Sequence, residues 1–113
     1  FQSMTLEALG DGLLDAGLLM RYEGTLRPEE KRWQAWTDGQ MAKVMGIIDA
    51  LETTYADALS GPLSMGQIAV ACALGWFDFR YGHVDWRKGH PKVAAFTARM
   101  AERPSMKATV PVG

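Results

Sequence analysis

Few side chains in this sequence are spaced for chemistry, and each has a plainer reading beside it. Asp11 and Asp15 stand four residues apart, one turn of a helix. Two carboxylates at that spacing can divide general-acid and general-base work. On a helix surface the same pair is ordinarily only solvated. Cys72 is the one thiol and a candidate nucleophile. It sits inside an uninterrupted apolar run, where burial raises a thiol's pKa and favours a structural role. His83, Asp85 and His90 are candidate metal ligands. Zinc needs three or four ligands at defined spacing, and His-x6-His without a third partner falls short of that. The tryptophans can stack on a ligand. Trp33 and Trp76 fall at helix-core spacing, so packing is expected of them, whereas Trp86 falls in a loop and is the least constrained. There is no glycine-rich phosphate loop, no Ser–His–Asp set and no CxxC. Residue types alone supply no catalytic apparatus and no metal site.

The elements that must carry these side chains read as helices. Leu6, Leu9, Leu13, Ala16 and Met20 recur at spacings of three and four, which predicts a helix from about Thr5 to Glu23. Gly10, Gly12 and Gly17 each lower helix propensity by ~1 kcal/mol. The periodicity runs through them, so they mark close helix–helix approach. Pro28-Glu29-Glu30 suits a first helical turn. Trp33, Trp36, Met41, Val44, Ile48, Leu51 and Tyr55 then extend a second helix to about 25 residues. Residues 56–62 read as a turn.

Leu63-Ser-Met-Gly-Gln-Ile68 reads as a capping box with a hydrophobic staple. Ser64 accepts from the Gln67 backbone N–H, the Gln67 amide reaches back to Ser64, and Leu63 packs on Ile68. Ile68 to Phe77 is apolar without a polar break, which predicts a helix buried all round and too short to span a bilayer. Loops cover 82–86 and 88–91. A further helix runs from about Pro91 to Glu102, followed by a short turn through Thr109 and a tail. No strand signal occurs. The expected fold class is all-α, four or five helices bundled around a buried central one.

Composition narrows the function classes. The 113 residues are 48% hydrophobic and 22% charged, one ordinary domain. Surface scaling predicts about 6,100 Å² exposed when folded, enough burial for a core without disulfides. A net charge of −1 supplies no electrostatic footprint for nucleic acid or an anionic membrane. One cysteine fits a reducing compartment, hence the cytoplasm. No segment offers the ~20 apolar residues of a membrane span. Phe1-Gln-Ser-Met4 resembles the remainder of a protease-cleavable linker, which sets the expected domain at 5–113.

The segments together resemble a known family. Asp11-Gly-Leu-Leu-Asp15-Ala-Gly-Leu-Leu-Met-Arg-Tyr-Glu23, Arg27-Pro-Glu-Glu-Lys31, Trp36…Gln40 and Ile47-Ile-Asp-Ala-Leu-Glu52 resemble the first two helices of the C-terminal domain of bacterial glutathione S-transferases. Leu63 to Arg80 resembles that domain's buried central helix. His90-Pro91…Phe96…Glu102-Arg-Pro-Ser105…Thr109-Val-Pro111 resembles its last helix and turn. The resemblance covers nearly all of 5–111. One departure is Gln67, where the family usually places Asp. Glutamine closes the box through its amide oxygen, with a cap weaker by about 0.5–1 kcal/mol.

The resemblance implies a transferase that conjugates glutathione, its co-substrate, to hydrophobic electrophiles in detoxification. It also implies a thioredoxin-like N-terminal domain, expected upstream of Met4, that binds most of the glutathione and supplies the thiol-activating residue. This chain would contribute part of the co-substrate pocket and half of a homodimer interface, and would be inactive alone. The match to Leu-Leu-Asp-Ala places on Asp15 the acid that reaches the γ-glutamyl amine of glutathione bound to the other subunit. Leu18, Leu19 and Tyr22, at i+3, i+4 and i+7 from it, are the expected co-substrate stripe. The alternative is a non-catalytic helical interaction module with the same fold.

Overall fold

The computed structural model describes residues 2–112. Phe1 and Gly113 lie outside them, so of the expected linker remnant only Gln2–Met4 is described. These residues form the first turn of helix α1, Gln2–Thr25, which therefore begins ahead of Thr5. Ser3 Oγ accepts the Gly66 N–H at 2.9 Å.

Helix α2 spans Gln34–Thr53, α3 Ala56–Ser60, α4 Met65–Arg80, α5 Pro91–Ala101 and α6 Pro104–Ala108. No strand occurs among the described residues. The second helix is shorter than its periodicity predicts. Glu29–Lys31 is a separate 3-10 turn, and Arg32 and Trp33 are extended. Pro28 starts a turn as expected, but the turn cannot propagate, because the Trp33 N–H is drawn to Glu23 instead of to a helical carbonyl. Residues 56–60, expected as turn, form one helical turn that buries Leu59.

α1 and α4 pack almost backbone to backbone. A Cβ on Gly10 would stand 3.1 Å from the carbonyl of Ala69, and one on Gly66 would collide with the backbone of Ser3. On Gly17 it would strike the Trp76 ring at 2.6 Å. The expected close approach is thus made inside the domain by Gly10 and Gly17, while Gly12 meets only the end of the Ile47 side chain. The core fills the space between α1, α2, α4 and α5 with Leu6, Leu13, Val44, Ile48, Leu51, Leu74, Phe77, Val93 and Phe96.

The central helix α4 departs from the expected burial on one edge. Val70, Ala71, Ala73, Leu74 and Phe77 are buried, but Cys72 is exposed and Trp76 half-buried. The Ser64 Oγ accepts the Gln67 N–H at 3.2 Å. Gln67 does not reach back to Ser64. Its Nε2 donates to the carbonyls of Ala58, Gly61 and Pro62 at 2.9–3.1 Å and so ties α3 and the following turn to α4. Only acceptors face this group, so the amide must present its donors. Leu63, expected to staple onto Ile68, remains half exposed.

A second tie holds α5 to α2. His90 is buried ahead of α5, with Nδ1 2.6 Å from the Trp86 carbonyl and Nε2 against Asp49 Oδ1. Both ring nitrogens face acceptors, an arrangement that the doubly protonated ring satisfies by donating twice. Glu52, one turn beyond Asp49, accepts the N–H groups of Lys92 and Val93 at the positive end of α5. Trp86, expected to be the least constrained tryptophan, is fully buried with its Nε1 donating to Asp78 at 2.8 Å.

These contacts can be tested by substitution and by pH. Ser64→Ala should lower stability by about 1 kcal/mol through loss of the N-cap. The resemblance alone would make Gln67→Asp neutral or favourable. The structure reverses that sign, because a carboxylate there would face three carbonyl oxygens; a loss of about 1–3 kcal/mol is expected. Urea melts of both variants decide it. The hydrogen bond to Asp49, aided by the Trp86 carbonyl, raises the His90 pKa. Folded His90 then holds its proton more tightly than the unfolded chain. Its contribution is complete below the unfolded value of about 6.5 and is lost as pH rises through the higher folded one. The urea midpoint of the native chain should fall on that alkaline side, and His90→Gln should flatten the fall.

Candidate functional site

The C-terminal half of α1, the 3-10 turn and the start of α2 enclose an open cleft of about 790 Å³. Glu23 shapes it. It is the one acid among the described residues that line the cleft, it is buried at 8% exposure, and both its oxygens are engaged. Oε2 accepts from Arg27 Nε at 2.8 Å, and Oε1 accepts the Trp33 N–H at 3.0 Å. That second bond satisfies one of the orphan donors where α2 begins. It also fixes how the chain turns back, which stands Trp33 and Trp36 opposite Tyr22 and Leu19.

The cleft wall is unusually apolar for a surface that meets water. Leu19, Tyr22, Leu26 and Trp33 are all exposed, Trp33 at 66% and Tyr22 at 50%. Core packing was expected of Trp33. It is instead a cleft residue, because its backbone is held at a helix start and its ring falls outside the α1–α2 contact. Arg27 and Lys31 line the cleft at the loop end.

The expected site residues divide between two adjacent grooves. Leu19 and Tyr22 belong to the cleft. Asp15 lines a second groove of about 480 Å³ between α1 and α2, with Leu9, Gly12, Lys43 and Ile47. Leu19 belongs to both, so the two run end to end along α1. Leu18 is half-buried and lines neither. Asp11 and Asp15 are both exposed, in keeping with solvated carboxylates.

The remaining candidates are dispersed. Cys72 is exposed, not buried as its apolar run predicts. It opens onto a third groove of about 480 Å³ between α4, α5 and α6, beside Trp76, Thr97 and Met106. His83 is exposed near the Tyr81 ring, far in role from buried His90. No group of three or more His, Cys, Asp or Glu among the described residues is placed to hold a metal. Among the described residues no helix is long and apolar enough to cross a membrane. Tyr81 donates its hydroxyl to the Gly17 carbonyl at 3.2 Å, and burial pushes its pKa up, so it stays protonated.

Glu23 carries no signal that sequence reasoning could use. With Arg27 at i+4 it resembles an ordinary surface ion pair, and only the folded chain reveals the Trp33 N–H as its second partner. Glu23→Ala should cost about 1.5–3 kcal/mol, the range for hydrogen bonds to a charged group. It should also release the start of α2. Iodide quenching of the tryptophans should rise in Glu23→Ala and less in Glu23→Gln, which can still accept the Trp33 N–H.

Comparison with known proteins gives the same family from three directions. Residues 34–99 match the family described as glutathione S-transferase, C-terminal domain. The Uncharacterized GST-like protein YibF of Escherichia coli K12 is 30% identical over 108 residues, which cover 94% of this chain and 53% of that protein. The crystal structure of a glutathione transferase family member from Pseudomonas fluorescens Pf-5, with bound S-(propanoic acid)-glutathione, aligns at a TM-score of 0.94 and 43% identity. The alignment covers 98% of this chain and 57% of that one. A glutathione S-transferase from Methylobacillus flagellatus KT, with glutathione bound, aligns at 0.85 and 33% identity over 97% of this chain and 55% of its own. The chain thus spans little more than half the length of these relatives. With 66 of its 113 residues inside the family match and the fold reproduced over almost its full length, this chain belongs to the glutathione S-transferase family, as its C-terminal domain.

Proposed function

We propose that this chain is the co-substrate half of a glutathione transferase, which joins the thiolate of glutathione to an apolar electrophile. In that reaction a C–S bond forms at the electrophilic carbon as its leaving group departs or its double bond takes up a proton. The observation that carries the reading is the Glu23-anchored cleft, whose exposed Leu19, Tyr22 and Trp33 continue along α1 toward Asp15. An apolar wall with few polar groups suits a hydrophobic co-substrate. Leu18 would border this seat on the helix face beside Tyr22. Asp15 would take the γ-glutamyl amine of glutathione held by the other subunit. Glutathione in the solved neighbours supports the same chemistry.

The other half of the site would come from a thioredoxin-like domain and a second copy of the chain. The surface supports this. The chain exposes 6927 Å², about 800 Å² more than scaling assigns to a free-standing domain of its mass. The open α1–α2 groove, with Gly12 and Ile47 flanked by Asp15 and Lys43, suits a two-fold self-contact. Gly10 and Gly17, already covered by α4, take no part in it. A reducing cytoplasm suits an exposed, unpaired Cys72 and a thiol co-substrate.

Three measurements test the proposal. The chain alone should leave a chloronitrobenzene electrophile and glutathione reacting at the buffer rate; saturable conjugation well above it would defeat the assignment of the thiol-activating group to another domain. Light scattering at micromolar protein should give a dimer, against a concentration-independent mass near 12.4 kDa. Ile47→Glu, which puts a charge in the α1–α2 groove, should then favour the monomer. In the protein joined to its N-terminal domain, Asp15→Asn should raise the KM for glutathione about tenfold, equivalent to ~1.4 kcal/mol, and leave the KM for the electrophile unchanged.

A further inference from the structure

We infer that the cleft selects co-substrates that carry a carboxylate, seated by Lys31 and Arg27 with the apolar body lying on Tyr22, Trp33 and Trp36. The inference rests on the cleft being the co-substrate seat. Its basis is the uneven charge of the lining. Glu23 is the one acid among the residues that line it, and both of its oxygens are occupied. The two cations are not matched in the same way. Arg27 gives Nε to Glu23, and its terminal nitrogens have no acceptor among the described residues. Lys31 forms no ion pair among them, although Glu29 and Glu30 precede it in the 3-10 turn; neither of those lines the cleft.

The arrangement along α1 is therefore polar at both ends and apolar between. Asp15 and Arg27 are twelve residues apart in sequence, roughly 18 Å if both ended one straight helix. Leu19 and Tyr22 fill the interval, with the exposed ring of Trp33 across from them. A neutral apolar molecule gains only the wall. A carboxylate at its far end gains charge-assisted donors from Lys31 and from the Arg27 guanidinium, beside low-dielectric rings that weaken water's competition. Arg27 is already oriented by Glu23, so little of its side-chain freedom is left to lose. Flat, unsaturated acids fit best, because the wall offers ring faces.

The test compares cinnamate with its uncharged methyl ester, which differ in charge but hardly in shape. Binding to the chain is followed by NMR of the tryptophan indole N–H groups, with Trp33 identified through Trp33→Phe. Both probes should shift Trp33, and cinnamate should bind about tenfold more tightly at low salt. Lys31→Gln should bring the two affinities within about threefold and leave the ester unchanged. The Lys31 side chain makes no hydrogen bond or ion pair among the described residues, so Lys31→Gln breaks none; Arg27→Gln serves as a second variant, and urea melts of both report any loss of stability. Equal affinities for acid and ester at Trp33 would overturn the charge selection and leave the cleft's role standing. A preference that survives both variants would overturn the assignment to Lys31 and Arg27. If neither probe moves Trp33, the reading of the cleft as a co-substrate seat falls as well.

Discussion

The close contact between α1 and α4 is the constraint from which the rest of the architecture follows. At Gly10 and Gly66 the two helices touch through backbone, with no room for a Cβ. Because α4 lies so near one side of α1, the space left for a core lies on the other flanks, where Leu13, Val44, Leu74 and Phe77 interlock. The same closeness lets Trp76 close over Gly17 and brings the Tyr81 hydroxyl to the Gly17 carbonyl. A methyl at Gly10 or Gly66 would have to push a backbone aside, which no side-chain rearrangement can absorb.

Around that contact the structure is tied at three junctions, each by one polar side chain that serves two or three partners. Gln67 gathers the carbonyls of the α3 turn, His90 bridges Trp86 and Asp49, and Glu23 links Arg27 with the start of α2. Buried polar groups are costly unless satisfied, and satisfied ones specify a single arrangement. With Gln40, these are the buried polar and charged residues among those described, and a hydrophobic pattern does not explain them. Of the three, Glu23 shapes the cleft, because the backbone it fixes is the backbone that presents Trp33.

The proposed functional faces are those the core does not need. Leu19, Tyr22 and Trp33 expose apolar surface on the cleft, Gly12 and Ile47 on the neighbouring groove, Cys72 and Trp76 on the edge of α4. A free-standing domain would ordinarily cover such surfaces or make them polar. Their presence is consistent with the proposal that this chain, which spans only 53–57% of the length of these relatives, shares a site with other parts. The chemistry read from this half is that of a wall, a charge pattern and a contact surface.

Much of this was legible in the sequence. The three/four spacing of Leu6, Leu13, Ala16 and Met20 named the buried face of α1, and Ser64 marked the start of α4, because helical periodicity and capping are local. The order of four motifs gave the family, since each reports a neighbour-to-neighbour constraint. What the tertiary structure decided were the partners of single polar groups and the fate of each tryptophan. Trp33 had core spacing and became exposed; Trp86 had none and became fully buried. Gln67 looked like half of a capping box and became a donor to another helix. Glu23 looked like a surface ion pair and became the anchor of the cleft. In every case the deciding partner lies on a different element, up to 41 residues away for His90 and Asp49, and the pairing exists only once packing has brought those elements together.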